Sequence, residues 1–201
     1  MVVTDRDDVA KQIKVLRSHG MTSLTWDRHR GHAFTYDVVA LGNNYRMDEI
    51  RSALGLEQLK KLTRGNTIRK AITTKYHLAF QQPKFTGIEL PFLTAPGKPS
   101  YHIFPMLLPK GADRRVFMES MRAAGVQTSI HYPPIHTFTY YRQRYPTISL
   151  PETDAVARRE VTLPLYPTMT DEQVNYVISA AANALEASLS KVPVLEKNLA
   201  N

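Results

Sequence analysis

Two groups of residues in this chain have the types and spacing that a chemical site requires. The first is Asn44 and Arg46, within Leu41-Gly-Asn-Asn-Tyr-Arg-Met47. An amide NH2 is a neutral donor and a guanidinium is a planar fork of donors, so the pair suits a phosphate or a carboxylate. Taken alone, Asn44 reads first as a turn-forming helix cap, because asparagine readily bonds its own backbone. Arg46 reads equally as an anion ligand or as a structural arginine at a helix start. The second group lies in Ser100 to Pro105 (SYHIFP) and Gly125 to His136 (GVQTSIHYPPIH). There His102, His131, Tyr132 and His136 are side chains able to hydrogen-bond and to stack on rings. Taken alone, His102 reads as a hydrogen-bonded core histidine. Zinc fails as a reading of His131 and His136, on spacing and missing partners. His29 and His32 read as scattered surface histidines, with no carboxylate or third histidine at ligand spacing. Lys11, Lys14, Lys60, Lys61, Lys70 and Lys75 sit at helical spacings among charged neighbours, which marks solvated faces; none is nominated for chemistry.

The elements that must position these residues follow from periodicity and punctuation. Gly42, Asn43 and Asn44 supply turn chemistry. Beyond Arg46 no Gly or Pro occurs until Gly55, and helix formers dominate. The apolar residues Met47, Ile50, Ala53, Leu54, Leu56, Leu59 and Leu62 spread round most of this helix rather than along one stripe. This predicts burial on several faces, between domains or between subunits, with Gly55 allowing close approach. A second helix is expected over Thr63–Gln81, with Ile68, Ile72, Tyr76 and Ala79 as its apolar line and a stop before Pro83. Upstream, Met1–Thr4 reads as a strand and Asp5–Ser18 as a helix with Val9, Ile13 and Leu16 on one face. An exposed loop containing Trp26, His29, His32 and Tyr36 is expected over residues 21–41. A terminal strand whose nearest strand candidate is far along the chain leads to the expectation that the chain begins inside a longer protein.

Downstream, residues 82–99 read as a loop with at most a short strand, Gly87–Leu90. Strands are expected over Ser100–Leu108, Val126–Ile130 and Val161–Leu163. Asp113 should cap a helix that buries Val116, Phe117, Met121 and Ala124 and ends at Gly125. A rigid turn set by Pro133 and Pro134 is expected over His131–His136, followed by short helices over Phe138–Tyr145 and Glu152–Glu160. Thr170 and Gln173 form a capping box for a last helix that buries Val174, Val177, Ile178, Ala181 and Leu185. Residues 190–201 read as a tail.

Composition narrows the classes. The chain has 201 residues, 43% of them hydrophobic and 22% charged, as in ordinary globular proteins. There are no cysteines, which removes disulfides, thiolate metal sites and cysteine nucleophiles. No apolar run is long enough to span a bilayer, and the charged residues at Met1–Asp8 do not read as a signal peptide. The formal charge of +8 is scattered, without a dense basic run or a nucleic-acid-binding motif. It fits a domain that handles anionic ligands better than one that binds nucleic acid. No nucleic-acid or membrane partner is expected.

The segment LGNNYRMDEIRSALGLEQLKKL resembles the Gly-x-Asn-x-Arg-Met region of the DegT/DnrJ/StrS sugar aminotransferases. Further resemblances follow in the family's order: LRSHG at Leu16–Gly20, SYHIFP, GVQTSIHYPPIH, and the stretch from Arg142 to Gln173 containing LPLYPTMT. They run from about Met1 to about Leu185. The resemblance implies an α/β protein, with α+β character in this portion, of the fold type I pyridoxal-phosphate (PLP) transferases. Residues 1–62 would end the large PLP-binding domain, 63–82 would connect, 83–189 would form the small C-terminal domain and 190–201 the tail. It implies PLP as cofactor, a nucleotide-linked keto sugar and an amino donor, commonly glutamate, as substrates, and a cytoplasmic homodimer with shared active sites. Asn44 would reach across the dimer to the PLP phosphate of the neighbouring subunit, with Arg46 also facing the anionic site. His131, Tyr132, His136 and His102 would line the sugar-nucleotide side. The family's catalytic lysine would lie upstream of Met1, so this chain alone should not complete the reaction. A sugar dehydratase of the same family and a non-catalytic truncated homologue are the alternative readings.

Overall fold

A computed structural model of the chain describes residues 2–22, 37–93 and 97–190. The expected loop around Trp26, His29, His32 and Tyr36 and the tail beyond residue 190 lie outside the described residues. The chain divides into two compact units, Met1–Lys60 and Lys61–Asn201.

In the first unit, helix α1 spans Asp7–Leu16, with Asp7 and Asp8 in its first turn, where negative charge favours the helix dipole. Its stripe Val9, Ile13 and Leu16 is half-buried. The expected strand at Met1–Thr4 is not formed over the described residues 2–4; Val2 and Val3 are exposed and have no partner strand among the described residues. Residues 16–22 and 37–45 run alongside each other through two isolated antiparallel bridges, Ser18 with Asn44 and Met21 with Val38.

Helix α2 runs unbroken over Glu49–Phe80, 32 residues, where two helices were expected. Nothing at Leu62-Thr63-Arg64 stops a helix. The shift there from apolar residues on all faces to one apolar line marks a change of surroundings, not an end. Its start is capped by Asp48, whose Oδ1 accepts from the Arg51 N–H at 2.8 Å. Of the early apolar residues, Met47, Ile50, Leu54, Leu56, Leu59 and Leu62 are all exposed in the chain by itself. Gly55 has no described atom in close approach.

The second unit is built round the C-terminal half of α2. Ile72, Tyr76, Ala79 and Phe80 are buried, as their spacing requires. Strand β1 (Phe104–Leu107) pairs antiparallel with β2 (Glu160–Leu163), with Phe104 opposite Leu163 and Met106 opposite Val161. Single bridges flank this ribbon, Glu89 to Leu107 on one side and Ser129 to Thr162 on the other. The longer strands expected at Ser100–Leu108 and Val126–Ile130 are thus cut short. Tyr101 has a positive φ of 53°, which breaks the extended run before β1.

Helices α3 (Arg114–Ala123), α4 (Thr139–Arg144), α5 (Pro151–Arg159) and α6 (Asp171–Ser190) complete the unit. Asp113 caps α3, accepting from the Arg115 and Val116 N–H groups at 2.8 and 3.2 Å. Thr170 and Gln173 cap α6 reciprocally at 3.0 and 3.2 Å. Helices α3 and α6 pack together over the sheet, burying Phe117, Met121, Val174, Val177, Ala181 and Leu185. Tyr76 lies against Phe104 with ring centroids 4.8 Å apart, and Phe80 meets Phe85 edge-on at 4.6 Å. Such pairs add about 0.5–1.5 kcal/mol each beyond their buried area. The Tyr76 hydroxyl donates to the Pro164 carbonyl at 2.9 Å, and burial pushes this phenol above its ordinary range.

Candidate functional site

Asn44 is held by backbone. The Asn43 N–H donates to the Leu16 carbonyl at 2.8 Å, the His19 N–H to the Asn43 carbonyl at 3.0 Å, and the Tyr45 N–H to the Arg17 carbonyl at 2.9 Å. These bonds lay residues 43–45 against the end of α1. The approach is close enough to require glycine at two positions. A Cβ on Gly42 would stand 2.2 Å from the Gly20 nitrogen, and one on Gly20 would stand 1.8 Å from the Ala40 carbonyl oxygen. The Asn44 side chain is exposed and makes no hydrogen bond among the described residues. The competing role as helix cap is filled by Asp48. Arg46 is likewise exposed, without an ion pair among the described residues, so the helix-start role has no contact behind it. Both side chains offer donors from a rigid turn, which suits a phosphate or another oxyanion.

The second group lies in the second unit. The Ser129–Thr162 bridge brings residues 129–131 alongside β2. There the His131 N–H donates to Glu160 Oε2 at 2.9 Å, and His131 Nδ1 lies 2.8 Å from Thr162 Oγ1. The Thr162 hydroxyl in turn donates to Glu160 Oε1 at 2.6 Å. Glu160 and Thr162 are buried, whereas His131 is only half-buried. Tyr132 stands edge-on to His131 at 4.8 Å and is 74% exposed, and the peptide between them is cis. Ser129 and Thr162 also line an open groove of about 760 Å³, together with Tyr166, Gln173 and Tyr176.

His136 is not joined to this cluster by a hydrogen bond. Its Nε2 pairs with Asp154 Oδ1 at 3.0 Å, tying the turn Ile135–Thr137 to α5. Only its Nδ1 is left for a ligand. His102 is exposed, on the approach to β1, which overturns the reading of it as a core histidine. The lysines set aside on sequence grounds are exposed; Lys60 pairs with Glu57 and Lys75 with Asp171 at 2.5 Å. No group of three or more His, Asp or Glu among the described residues could hold a metal ion. No described helix is long and apolar enough to cross a membrane.

Sequence reading missed Glu160, which it placed at the end of a helix. The one available signal is a glutamate directly ahead of the apolar run Val161-Thr-Leu163, a poor place for an unpartnered carboxylate. Its partner lies 29 residues away and could not be guessed from spacing.

Comparison with known proteins bears on the same residues. The profile of the DegT/DnrJ/EryC1/StrS aminotransferase family matches residues 1–182. Among solved structures, Helicobacter pylori PseC, an aminotransferase involved in the biosynthesis of pseudoaminic acid, is 26% identical with a TM-score of 0.76. The match covers 92% of this chain and 48% of PseC. DesV of S. venezuelae is 28% identical with a TM-score of 0.75, covering 92% of this chain and 46% of DesV. The PLP form of the putative sugar aminotransferase Spr1654 from Streptococcus pneumoniae is 25% identical with a TM-score of 0.76, covering 91% and 45%. The same protein has been solved in its PMP form. The chain therefore spans about half the length of the solved structures it matches. The match takes in both the Asn44 turn and the His131 cluster, and its neighbours share the architecture of fold type I PLP aminotransferases; this chain belongs to the DegT/DnrJ/EryC1/StrS aminotransferase family.

Proposed function

We propose that this chain forms the C-terminal part of an aminotransferase that moves an amino group from L-glutamate to a keto group on a nucleotide-linked sugar. The pathway class is polysaccharide or secondary-metabolite sugar biosynthesis, and the working form is a cytoplasmic homodimer with shared active sites. Aminotransferases of this family use PLP, which supplies an electron sink for amino transfer. The observation that carries the reading is the uncommitted amide of Asn44. Asp48 caps α2, and three backbone bonds hold the turn around Asn44 beside the end of α1, with its NH2 unbonded among the described residues. In this reading Asn44 and Arg46 donate to the cofactor phosphate, in the neighbouring subunit. His131, Tyr132, His136 and His102 orient the sugar nucleotide; none of them replaces the cofactor-bearing lysine.

The protein that contains this chain, given PLP, L-glutamate and a panel of nucleotide-linked keto sugars, is expected to release 2-oxoglutarate over many turnovers only when a keto sugar is present. Asn44→Ala should weaken PLP binding roughly 10- to 100-fold, the value of a hydrogen bond to a charged group. Cofactor affinity indifferent to Asn44 would sink the phosphate assignment. Loss of a sugar hydroxyl without glutamate turnover would assign the protein to deoxygenation instead.

A further inference from the structure

Glu160 is 7% exposed and Thr162 5%, yet both are polar and both meet His131, Glu160 at its backbone N–H and Thr162 at its half-buried ring. A buried carboxylate needs donors on both oxygens, and here it has them: the His131 N–H on Oε2 and the Thr162 hydroxyl on Oε1. Threonine has one hydroxyl proton, and a carboxylate can only accept, so that proton lies toward Glu160 at 2.6 Å. The lone pairs of Oγ1 then face His131 Nδ1 at 2.8 Å. Two acceptors cannot face each other at that distance, so Nδ1 must carry the hydrogen. Ser129 Oγ, at 3.5 Å, is too far to reverse the choice.

We propose that Glu160 and Thr162 are positioning residues that lock neutral His131 in its Nδ1–H tautomer. Nε2 is then presented as a hydrogen-bond acceptor to a hydroxyl of the nucleotide-linked sugar. The relay works as a chain of single-donor choices: carboxylate, hydroxyl, imidazole. It converts a buried negative charge into a fixed lone pair at the surface, since the bond at one ring nitrogen sets the state of the other. Without the relay a histidine beside Tyr132 could meet a sugar hydroxyl as donor or acceptor indifferently. With it, the histidine selects ligand groups that donate. The ligand half of the proposal rests on the substrate role given to His131 above; the tautomer does not.

The test is long-range 1H–15N NMR of the chain labelled with 15N-histidine, at a pH above the imidazole titration. His131 is assigned by the signal lost in His131→Gln. The expected result is a protonated, pyrrole-like Nδ1 and an unprotonated, pyridine-like Nε2. Thr162→Val removes the bridging hydroxyl at nearly constant shape and should release the ring to the Nε2–H form or to a mixture, whereas Thr162→Ser should keep the lock. An Nε2–H form in the unmodified chain overturns the proposal, and that reading does not depend on any variant folding. A lock that survives in folded Thr162→Val overturns the relay. In the amino-transfer assay, Thr162→Val should raise KM for the keto sugar roughly 3- to 10-fold, the value of one neutral hydrogen bond, with KM for L-glutamate unchanged and Thr162→Ser near normal. A locked tautomer with an unmoved sugar KM overturns the ligand half alone and leaves the amino-transfer reading standing.

Discussion

Replacing Gly42 by alanine puts one methyl group into a tight backbone contact beside Asn44. Its φ is not in the left-handed region, so the cost is purely steric. The added carbon would meet the Gly20 nitrogen at 2.2 Å, the His19 carbonyl carbon at 2.6 Å and the Leu16 carbonyl oxygen at 2.7 Å. Comfortable contact begins at about 3.5 Å, so the two segments must part by about 1 Å. All three nearest atoms are backbone, and none can swing aside as a side chain would. Parting breaks the bonds from Asn43 to Leu16, from His19 to Asn43 and from Tyr45 to Arg17. At about 1 kcal/mol net each, the local loss is about 3 kcal/mol, or roughly 150-fold in the equilibrium for opening this turn. Amide hydrogen exchange read by mass spectrometry follows that equilibrium directly. Peptides covering Leu16–Gly20 and Gly42–Tyr45 should exchange roughly 100-fold faster, while those covering β1 and β2 keep their protection. PLP affinity should fall with the turn, although Asn44 itself is intact. Unchanged exchange at Asn43 and Tyr45 would refute the argument that close backbone approach holds Asn44 in place.

Gly55→Ala is the matched opposite: a Cβ there meets no described atom, so in the isolated chain it should stabilise α2 by about 0.5–1 kcal/mol in urea denaturation. A loss of dimer in the full protein would show that a partner approaches Gly55. Tyr76→Phe leaves the Pro164 carbonyl without its donor and should cost about 1–2 kcal/mol by the same method, with no change in the helical circular-dichroism signal. Burial lowers the pKa of His77 beneath its ordinary 6.5. The unfolded chain therefore binds this proton first as pH falls. The stabilisation is complete above the ordinary value and is lost as pH drops through it toward the folded value. His77→Gln should flatten that part of the stability curve, measured as urea midpoints at about pH 7.5 and about pH 5.5.

What could be read from sequence was whatever local pattern controls. The capping box at Thr170 and Gln173, the Asp113 cap and the buried faces of α3 and α6 all follow from spacings of three and four residues. The role proposed for Asn44 was suggested only by its neighbours in the motif, because asparagine in a turn is usually explained by the turn. What was not legible depended on partners distant in the chain. The strand expected at Val126–Ile130 has the right residues but only one bridge, because β2 offers it a single register contact at Thr162. Glu160, His131 and Thr162 come together through a β pairing that no periodicity encodes. The apolar residues of early α2 were expected to be buried on several faces between domains or subunits, and in the chain by itself they are exposed.

The small ribbon of β1 and β2 has a further property. In β1, alternate residues turn their peptide groups to opposite sides: Leu108 bonds toward Arg159, while Leu107 bonds toward Glu89. Pro105 shares the orientation of Leu107, so the outward side of β1 lacks one donor by construction. On the other flank, Ser129 occupies both backbone groups of Thr162, the central outward position of β2. A foreign strand arriving at either edge would find one site chemically absent and others already taken. A two-stranded ribbon would otherwise be an open template for edge-to-edge growth, and this one is closed by a single proline and two bridges.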